Sequence, residues 1–258
     1  TFNFTRLEVL FDELAAQGIS RISGSIVGDE SRYDAERFAP SLGLGIRGTE
    51  VGPLGALMVN DGVVSGNPIK PDNPALGAAT EFSNTLQNNG IAVSGAPKIG
   101  AAPQDLPVIA KINSLPLTDI VAEMLTNSDN NTAELLVKEI GFATSGVGTR
   151  EAGLEVMKSK LVEWGVALDV LQFFDGSGLD RGKRLTCNSM MTRLARDGGF
   201  GPVGLGLATA SQSGTRREVL ADTLGAGKLR GKTGTLTGAK ALSGFVPYSA
   251  DQASTFAL

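Results

Sequence analysis

Lys232, Thr233 and Gly234 stand in consecutive positions late in the chain, between a basic segment at Lys228 and Arg230 and an apolar run over residues 241–246. On a strand bordering a cleft, these three residue types suit one task. Lys232 supplies a positive charge and Thr233 a hydroxyl. Gly234 lets a ligand backbone come close, and the next N–H, that of Thr235, can point at a developing oxyanion. A second group, Ser128-Asp129-Asn130, lies upstream. A serine hydroxyl both donates and accepts, so Ser128 can relay a proton between a lysine and a leaving amine. Asn130 can hold a substrate amide carbonyl and a lysine ammonium together. The competing reading is that Ser128 or Asn130 simply caps the helix that follows. The presence of Lys232-Thr233-Gly234 further along favours the chemical one.

Other chemistries are excluded by what is missing. The sequence has no His, which removes Ser-His-Asp triads, Cys-His dyads and His-ligated metals, and its one Cys, Cys187, cannot build a zinc site or an internal disulfide. Proton transfer is left to Lys, Asp, Glu, Tyr or Ser. Asp175-Gly176-Ser177-Gly178 lacks the first Gly of a nucleophile elbow, and no His could activate Ser177. It reads as a structural turn beside the cleft. Asp129, Glu134 and Asp175 read as solvated or capping residues rather than an acid/base pair. The Gly-rich residues 198–206 lack the Gly-Lys-Ser/Thr ending of a phosphate loop. With 258 residues, 41% hydrophobic, 19% charged and a net charge of −4, the composition is globular, without a nucleic-acid-binding stripe or a basic membrane patch. No apolar run reaches membrane-spanning length, and residues 1–20 lack a signal-peptide pattern.

The elements that must position these groups follow from periodicity. Residues 5–17 predict a helix with a Thr5/Glu8 capping box and Leu7, Leu10, Phe11 and Leu14 on one face, ended by Gly18. Residues 19–27 predict a strand. Asn60-Asp61-Gly62 predicts a hairpin turn between apolar runs. Asn73 caps a second helix with Pro74 at its first position and Leu76, Ala79, Phe82 and Leu86 buried. Residues 18–24 and 90–95 echo each other, each following a helix. Two helix-to-strand units or ordinary punctuation explain this equally. A Pro-containing linker over 96–107 marks a domain boundary. Residues 108–112 predict a strand. Pro116 opens a helix bearing Leu117, Ile120, Val121, Met124 and Leu125, and another follows at once with Ala133, Leu136, Val137 and Ile140 inward. Ser128-Asp129-Asn130 therefore sits in a tight helix–helix connection. A helix from Thr149 to Trp164, a strand over 170–174, a helix capped by Thr186 and three strands at 228–235, 240–246 and 254–258 complete the pattern. Residues 198–207 are too rich in Gly to assign.

Lys-Thr-Gly and Ser-Asp-Asn belong to a three-part set whose remaining member is Ser-x-x-Lys. Five stretches carry a family resemblance: residues 18–31, Met58-Val59-Asn60-Asp61-Gly62, Asn127-Ser128-Asp129-Asn130 with Ala133-Glu134, Asp175-Gly176-Ser177-Gly178-Leu179 with Arg181, and residues 231–246. In them the chain resembles the class C low-molecular-mass penicillin-binding proteins, which are serine D-alanyl-D-alanine carboxypeptidases and endopeptidases. The resemblance implies an α+β, serine β-lactamase/transpeptidase-like fold, an antiparallel sheet flanked by helices. Residues 1–106 would be an inserted accessory domain and 107–258 the larger part of the catalytic domain. It also implies hydrolysis of peptidoglycan stem peptides through an acyl-enzyme, outside the cytoplasm, with β-lactams as inhibitors and no cofactor, metal or nucleic acid. Ser128, Asn130 and Lys232 would be catalytic. Thr233, Gly234, Thr235, Arg181 and Ser177 would contact substrate, Arg181 reading an acidic group such as a diaminopimelate carboxylate. The alternative for Arg181 is a surface residue paired with Asp180 or Asp175.

One departure stands out. No Ser here is followed three positions later by Lys, so the nucleophile and its base are absent. The expectation is a piece of a longer protein, cut at both ends. A naturally inactive wall-binding homologue and a serine β-lactamase are the alternatives, the latter having no use for residues 1–106.

Overall fold

A computed structural model describes residues 6–67, 69–169, 171–218 and 220–258. The first helix, α1, spans Glu8–Ala16; Thr5, its expected cap, lies outside the described residues. The strand expected over 19–27 is two short pieces, β1 (Arg21–Ile22) and β2 (Val27–Gly28). Helix α2 (Pro74–Asn88) starts as its sequence dictates: the Asn73 side chain accepts from the Leu76 N–H, and Pro74 needs no partner at the first position. Strands β3 (Ala92–Val93) and β4 (Lys98–Ile99) follow.

The two echoing stretches lie side by side. β1 pairs in parallel with β3, Arg21 opposite Ala92, and β2 with β4, Val27 opposite Lys98. Parallel pairing requires a long crossover, and α2 lies within it. Leu14, Leu86 and Ile91 form the core of this unit, with Phe11, Ile19, Ile22, Phe82 and Val93 around them.

Two strand expectations fail here. Asn60-Asp61-Gly62 does turn through positive φ (52°, 55° and 77°), yet it forms a single 3-10 turn with no strands on either side. Asp61 is held instead by Lys70 at 2.8 Å and by the Asn131 amide, so the turn docks on a helix rather than closing a hairpin. Residues 108–112 form no strand. Side chains of α1 hold that segment, Gln17 donating to the Ile109 carbonyl at 2.5 Å and Glu13 accepting from the Lys111 N–H at 2.8 Å.

Beyond this point come α3 (Leu117–Asn127), α4 (Asn130–Ser145), α5 (Arg150–Glu163), α6 (Cys187–Asp197) and α7 (Pro202–Gly206). Thr149 and Thr186 cap α5 and α6 through their side chains. α7 occupies the Gly-rich stretch, opened by Pro202 at its first turn. A Cβ on Gly153 would meet the Val137 carbonyl, so glycine there lets α5 lie close against α4. The expected inward face of α4 needs correction. Of Ala133, Leu136, Val137 and Ile140, only Val137 is buried, while Asn131, Glu134, Lys138 and Gly141 are buried with it. The reason is polar docking: Asn131 accepts from the Gly52 N–H at 2.5 Å, and Lys138 donates to Asp34 at 2.5 Å and to the Glu36 carbonyl at 2.7 Å. The strand expected at 170–174 is one isolated bridge, Gln172 to Arg184, with Val170 outside the described residues.

The sheet that carries Lys232 is antiparallel in the order β5-β6-β7, with β5 Arg230–Leu236, β6 Ala239–Pro247 and β7 Ala253–Ala257. Phe245 packs into a cluster with Leu194 of α6 and Leu207 beside α7, joined by Leu125 of α3. That cluster fixes the end of α3 relative to the sheet.

Candidate active site

β5 lies at the edge of its sheet, and its register decides what it offers. Gly231 donates its N–H to the Ala208 carbonyl at 3.0 Å, and its own carbonyl accepts from Arg216 Nε at 3.1 Å. Both groups of Gly231 therefore point away from β6. Strand geometry repeats every second residue, so the backbone groups of Thr233 and Thr235 face the same way. Residues 208–210 cover only the start of this edge, with the Ala210 N–H on the Leu229 carbonyl at 2.8 Å. Past Gly231, among the described residues, the Lys232 ammonium on the Thr233 carbonyl at 2.8 Å is the contact made there. An open edge of this kind can take an extended peptide as an added strand.

The Lys232 ammonium also donates to the Ser128 hydroxyl at 2.6 Å, across 104 residues of sequence. Ser128 is the residue after α3 and holds left-handed angles, φ 59° and ψ 48°. A non-glycine residue there costs roughly 1–3 kcal/mol, and such strain collects at functional sites. The neighbouring bonds enforce it. The Asp129 N–H returns to the Met124 carbonyl at 3.0 Å, while the Asp129 carboxylate accepts from the Asn131 and Thr132 N–H groups at 3.0 and 3.2 Å. Asp129 is thus the cap of α4, which leaves Ser128 and Asn130 to other partners. Asn130 donates to the Glu50 carbonyl at 2.8 Å. Lys232 is engaged by Ser128 and Thr233 rather than by Asn130.

Burial pulls the Lys232 pKa below its ordinary value, and the nearby Arg216 guanidinium lowers it further. A lysine so placed gives up a proton more readily than one in water. Arg216 itself is fully buried, 1% exposed. Nothing local in the sequence distinguishes it from Arg217 beside it; Gly214 two positions earlier is the only signal.

The 175–180 turn is not solvated. Glu134, 1% exposed, accepts from the Gly176 and Ser177 N–H groups at 3.0 and 2.9 Å and from the Ser177 hydroxyl at 2.6 Å. Asp175, 4% exposed, accepts from the N–H groups of Gly178 and Asp180 at 2.9 and 2.6 Å. Both carboxylates hold backbone, so of the two readings, solvated or capping, the second holds, and the Ser177 hydroxyl donates a hydrogen bond to Glu134. Arg181 is exposed past the turn, and among the described residues it pairs with neither Asp175 nor Asp180. No group of three or more metal-ligating side chains occurs among the described residues, and none of their helices is long and apolar enough to cross a membrane.

Comparison with known proteins bears on the family and the fold. Residues 64–258 match the model of the D-Ala-D-Ala carboxypeptidase 3 (S13) family. The D-alanyl-D-alanine carboxypeptidase of Actinomadura sp. (strain R39) is 36% identical over 68% of this chain and 35% of its own length. Carboxypeptidase DacB of Mycolicibacterium smegmatis is 28% identical over 98% of this chain and 57% of its own. The chain thus spans about a third to just over half of these relatives. In structure it is similar to penicillin-binding protein 4 of Haemophilus influenzae, with a TM-score of 0.79 over 96% of this chain and 71% of that one at 20% identity. A predatory endopeptidase of Bdellovibrio bacteriovorus superposes with a TM-score of 0.56 over 99% of this chain and 67% of that one at 18% identity. These likenesses establish the penicillin-binding, transpeptidase-like fold, and by the match over residues 64–258 the chain belongs to the D-Ala-D-Ala carboxypeptidase 3 (S13) family.

Proposed function

We propose that these residues form the carboxylate-binding and proton-relay half of a serine acyl-transfer site acting on the D-Ala-D-Ala end of peptidoglycan stem peptides. The observation that carries the reading is the 2.6 Å bond between Lys232 and Ser128. It joins the two motifs of the set at an open strand edge. In this reading residues 1–106 are an inserted accessory domain and 107–258 belong to the catalytic domain.

A serine supplied from outside residues 1–258 attacks the carbonyl between the two D-alanines, and its lysine neighbour takes the proton. That proton then travels through the Ser128 hydroxyl, hydrogen-bonded to Lys232, to the leaving amine. The substrate lies along β5 as an added strand. Lys232 and Thr233 receive its terminal carboxylate, Gly234 leaves room for its backbone, and the Thr235 N–H faces the developing oxyanion. Asn130, steadied by Glu50, orients the peptide. Water then releases the acyl-enzyme. β-Lactams bind as substrate mimics, in keeping with a structure of the Haemophilus influenzae protein in complex with a β-lactam. Arg181, exposed and without an ion pair among the described residues, follows the turn that Ser177 helps to hold and reads an acidic group on the stem peptide. The work is done outside the cytoplasm, where peptidoglycan lies.

The test is release of D-alanine from a D-Ala-D-Ala peptide by the protein carrying its Ser-x-x-Lys segment, compared with its Lys232→Ala variant. Release that depends on Lys232 is expected. Release unchanged by the substitution overturns the roles given above. A second reading, an inert wall-binding homologue, is favoured by the absence of Ser-x-x-Lys from residues 1–258. Absence of that motif from the whole protein would select it.

A further inference from the structure

Arg216 is a charged side chain in a place where an interior would ordinarily hold an apolar one. It is 1% exposed, and one terminal nitrogen of its guanidinium has no partner. Among the described residues no carboxylate pairs with it, and burial alone draws its pKa below the ordinary arginine range. A buried cation without an anion is costly to a fold, so its retention calls for a use.

Its position supplies one. Arg216 ends a short 3-10 turn, Gly214–Arg216. At one end of this turn Gly214, at φ 53°, lies so close to the Thr126 carbonyl that a Cβ would collide with it. Thr126 is two residues before Ser128. At the other end Arg216 Nε donates to the Gly231 carbonyl at 3.1 Å, one residue before Lys232. Gly231 has no side chain, and a Cβ there would stand 3.5 Å from the guanidinium carbon and 3.0 Å from the Ser243 carbonyl. The turn is itself tied down, since the Ser211 N–H donates to the Arg216 carbonyl at 2.9 Å and the Thr209 N–H to the Ser213 hydroxyl at 2.9 Å. It therefore bridges the two elements that bring Ser128 and Lys232 together.

We infer that Arg216 is a positioning residue for Lys232: its guanidinium sets the start of β5 against the end of α3 and charges the floor of the site, which the anionic end of a ligand then neutralises. The inference rests on Lys232 being the cation of the site. Among the described residues Arg216 is the charged group whose repulsion bears on Lys232, and the ammonium's hydrogen bonds go to the Ser128 hydroxyl and the Thr233 carbonyl. Removing the guanidinium takes away a repulsion and lets Lys232 hold its proton more tightly. Looser packing would also raise the Lys232 pKa by rehydrating the ammonium, so the charge-keeping variant and the melting temperature separate the two causes.

Two variants test this, Arg216→Met, which keeps bulk without charge, and Arg216→Lys, which keeps charge. The Lys232 ammonium is followed by carbon NMR of labelled lysine during a pH titration of the 258-residue chain, with Lys232→Arg for assignment. The pKa is expected to rise toward the ordinary value in Arg216→Met and to stay depressed in Arg216→Lys, with the melting temperature of Arg216→Met equal to or above that of the parent. In the protein with its nucleophile segment, penicillin acylation falls about tenfold or more in Arg216→Met and is partly restored in Arg216→Lys. An unmoved Lys232 titration, or a melting temperature that collapses in Arg216→Met, overturns the inference. If the parent itself takes no penicillin, the acyl-transfer reading fails alone, and the lysine titration still decides the role of Arg216.

Discussion

Two buried cations, Lys138 and Arg216, are treated in opposite ways. Lys138 on α4 is 2% exposed and fully answered by Asp34 at 2.5 Å and the Glu36 carbonyl at 2.7 Å. Around it the pattern repeats. Arg150 pairs with Glu36 at 2.9 Å, Arg37 with Glu30 at 2.6 Å and Arg32 with Glu139 at 2.6 Å. Arg216 and Lys232 on the sheet side have no carboxylate partner among the described residues, and burial lowers the pKa of both. In the first set, the pairs at Arg32, Asp34 and Glu36 fasten that segment to α4 and α5, and Arg37 with Glu30 ties it to itself. The second is a positive site without its own anion. In the reading proposed above, the paired cations hold the fold and the unpaired ones receive the anionic end of a ligand.

The largest effect should come from breaking the paired side. Lys138→Met leaves Asp34 without its cation, and since the Asp34 side chain is 30% exposed the loss should be about 2–3 kcal/mol, below the roughly 3–5 found for fully buried pairs. Urea unfolding measures it. A loss under about 0.5 kcal/mol, the size of an ordinary surface change, would remove the contrast with Arg216. Next in size, in the protein carrying Ser-x-x-Lys, Lys232→Ala should reduce penicillin acylation by about 1.5–3 kcal/mol in the barrier, with little change in melting temperature. A collapsed melting point with acylation intact would make Lys232 structural.

The comparison also shows where sequence reasoning reached. β5 to β7 were legible because their residues are locally strand-forming and the pairing is sequential. Asn73 with Pro74, Thr149 and Thr186 announced their helices because a cap depends on a few adjacent residues. The meeting of Ser128 with Lys232 was readable only through the two motifs together. What failed depends on distant partners. Residues 108–112 look like a strand but find α1 side chains instead of a sheet. The buried face of α4 is polar because Gly52, Asp61 and Asp34 lie opposite, and no helical periodicity reveals that. Apart from Gly214 two positions earlier, Arg216 gives no local sign, since its role comes from Thr126 and Gly231 on either side of it.

Arg181 offers a smaller effect in the protein carrying Ser-x-x-Lys. Arg181→Ala should lower kcat/KM for a diaminopimelate-containing peptide by about 1 kcal/mol, the scale of an exposed charge contact, with penicillin acylation unchanged. Equal losses for both ligands, or none for either, would return Arg181 to an ordinary surface residue. The smallest effect concerns Glu134, whose pKa burial raises above the ordinary 4.5, against the lowering by Ser177 and the Gly176 N–H. The folded state then binds more protons than the unfolded one above pH 4.5, so this contribution is complete below 4.5 and is lost as pH rises through the raised value. Urea unfolding from pH 4 upward should show that decline in the parent and a flatter profile in Glu134→Gln. Parallel profiles would mean that Glu134 carries no such shift.

The central claim is that this chain supplies the lysine, the relay serine and the strand edge, while the acylated serine lies elsewhere. Intact-mass spectrometry after incubation with a fluorescent penicillin tests it most directly, followed by peptide mapping of any adduct. The account predicts no covalent adduct on the 258-residue chain, and in the protein carrying Ser-x-x-Lys one stoichiometric adduct on the serine of that motif. A stoichiometric adduct on the 258-residue chain, at Ser128, Ser177 or any other serine, would contradict it.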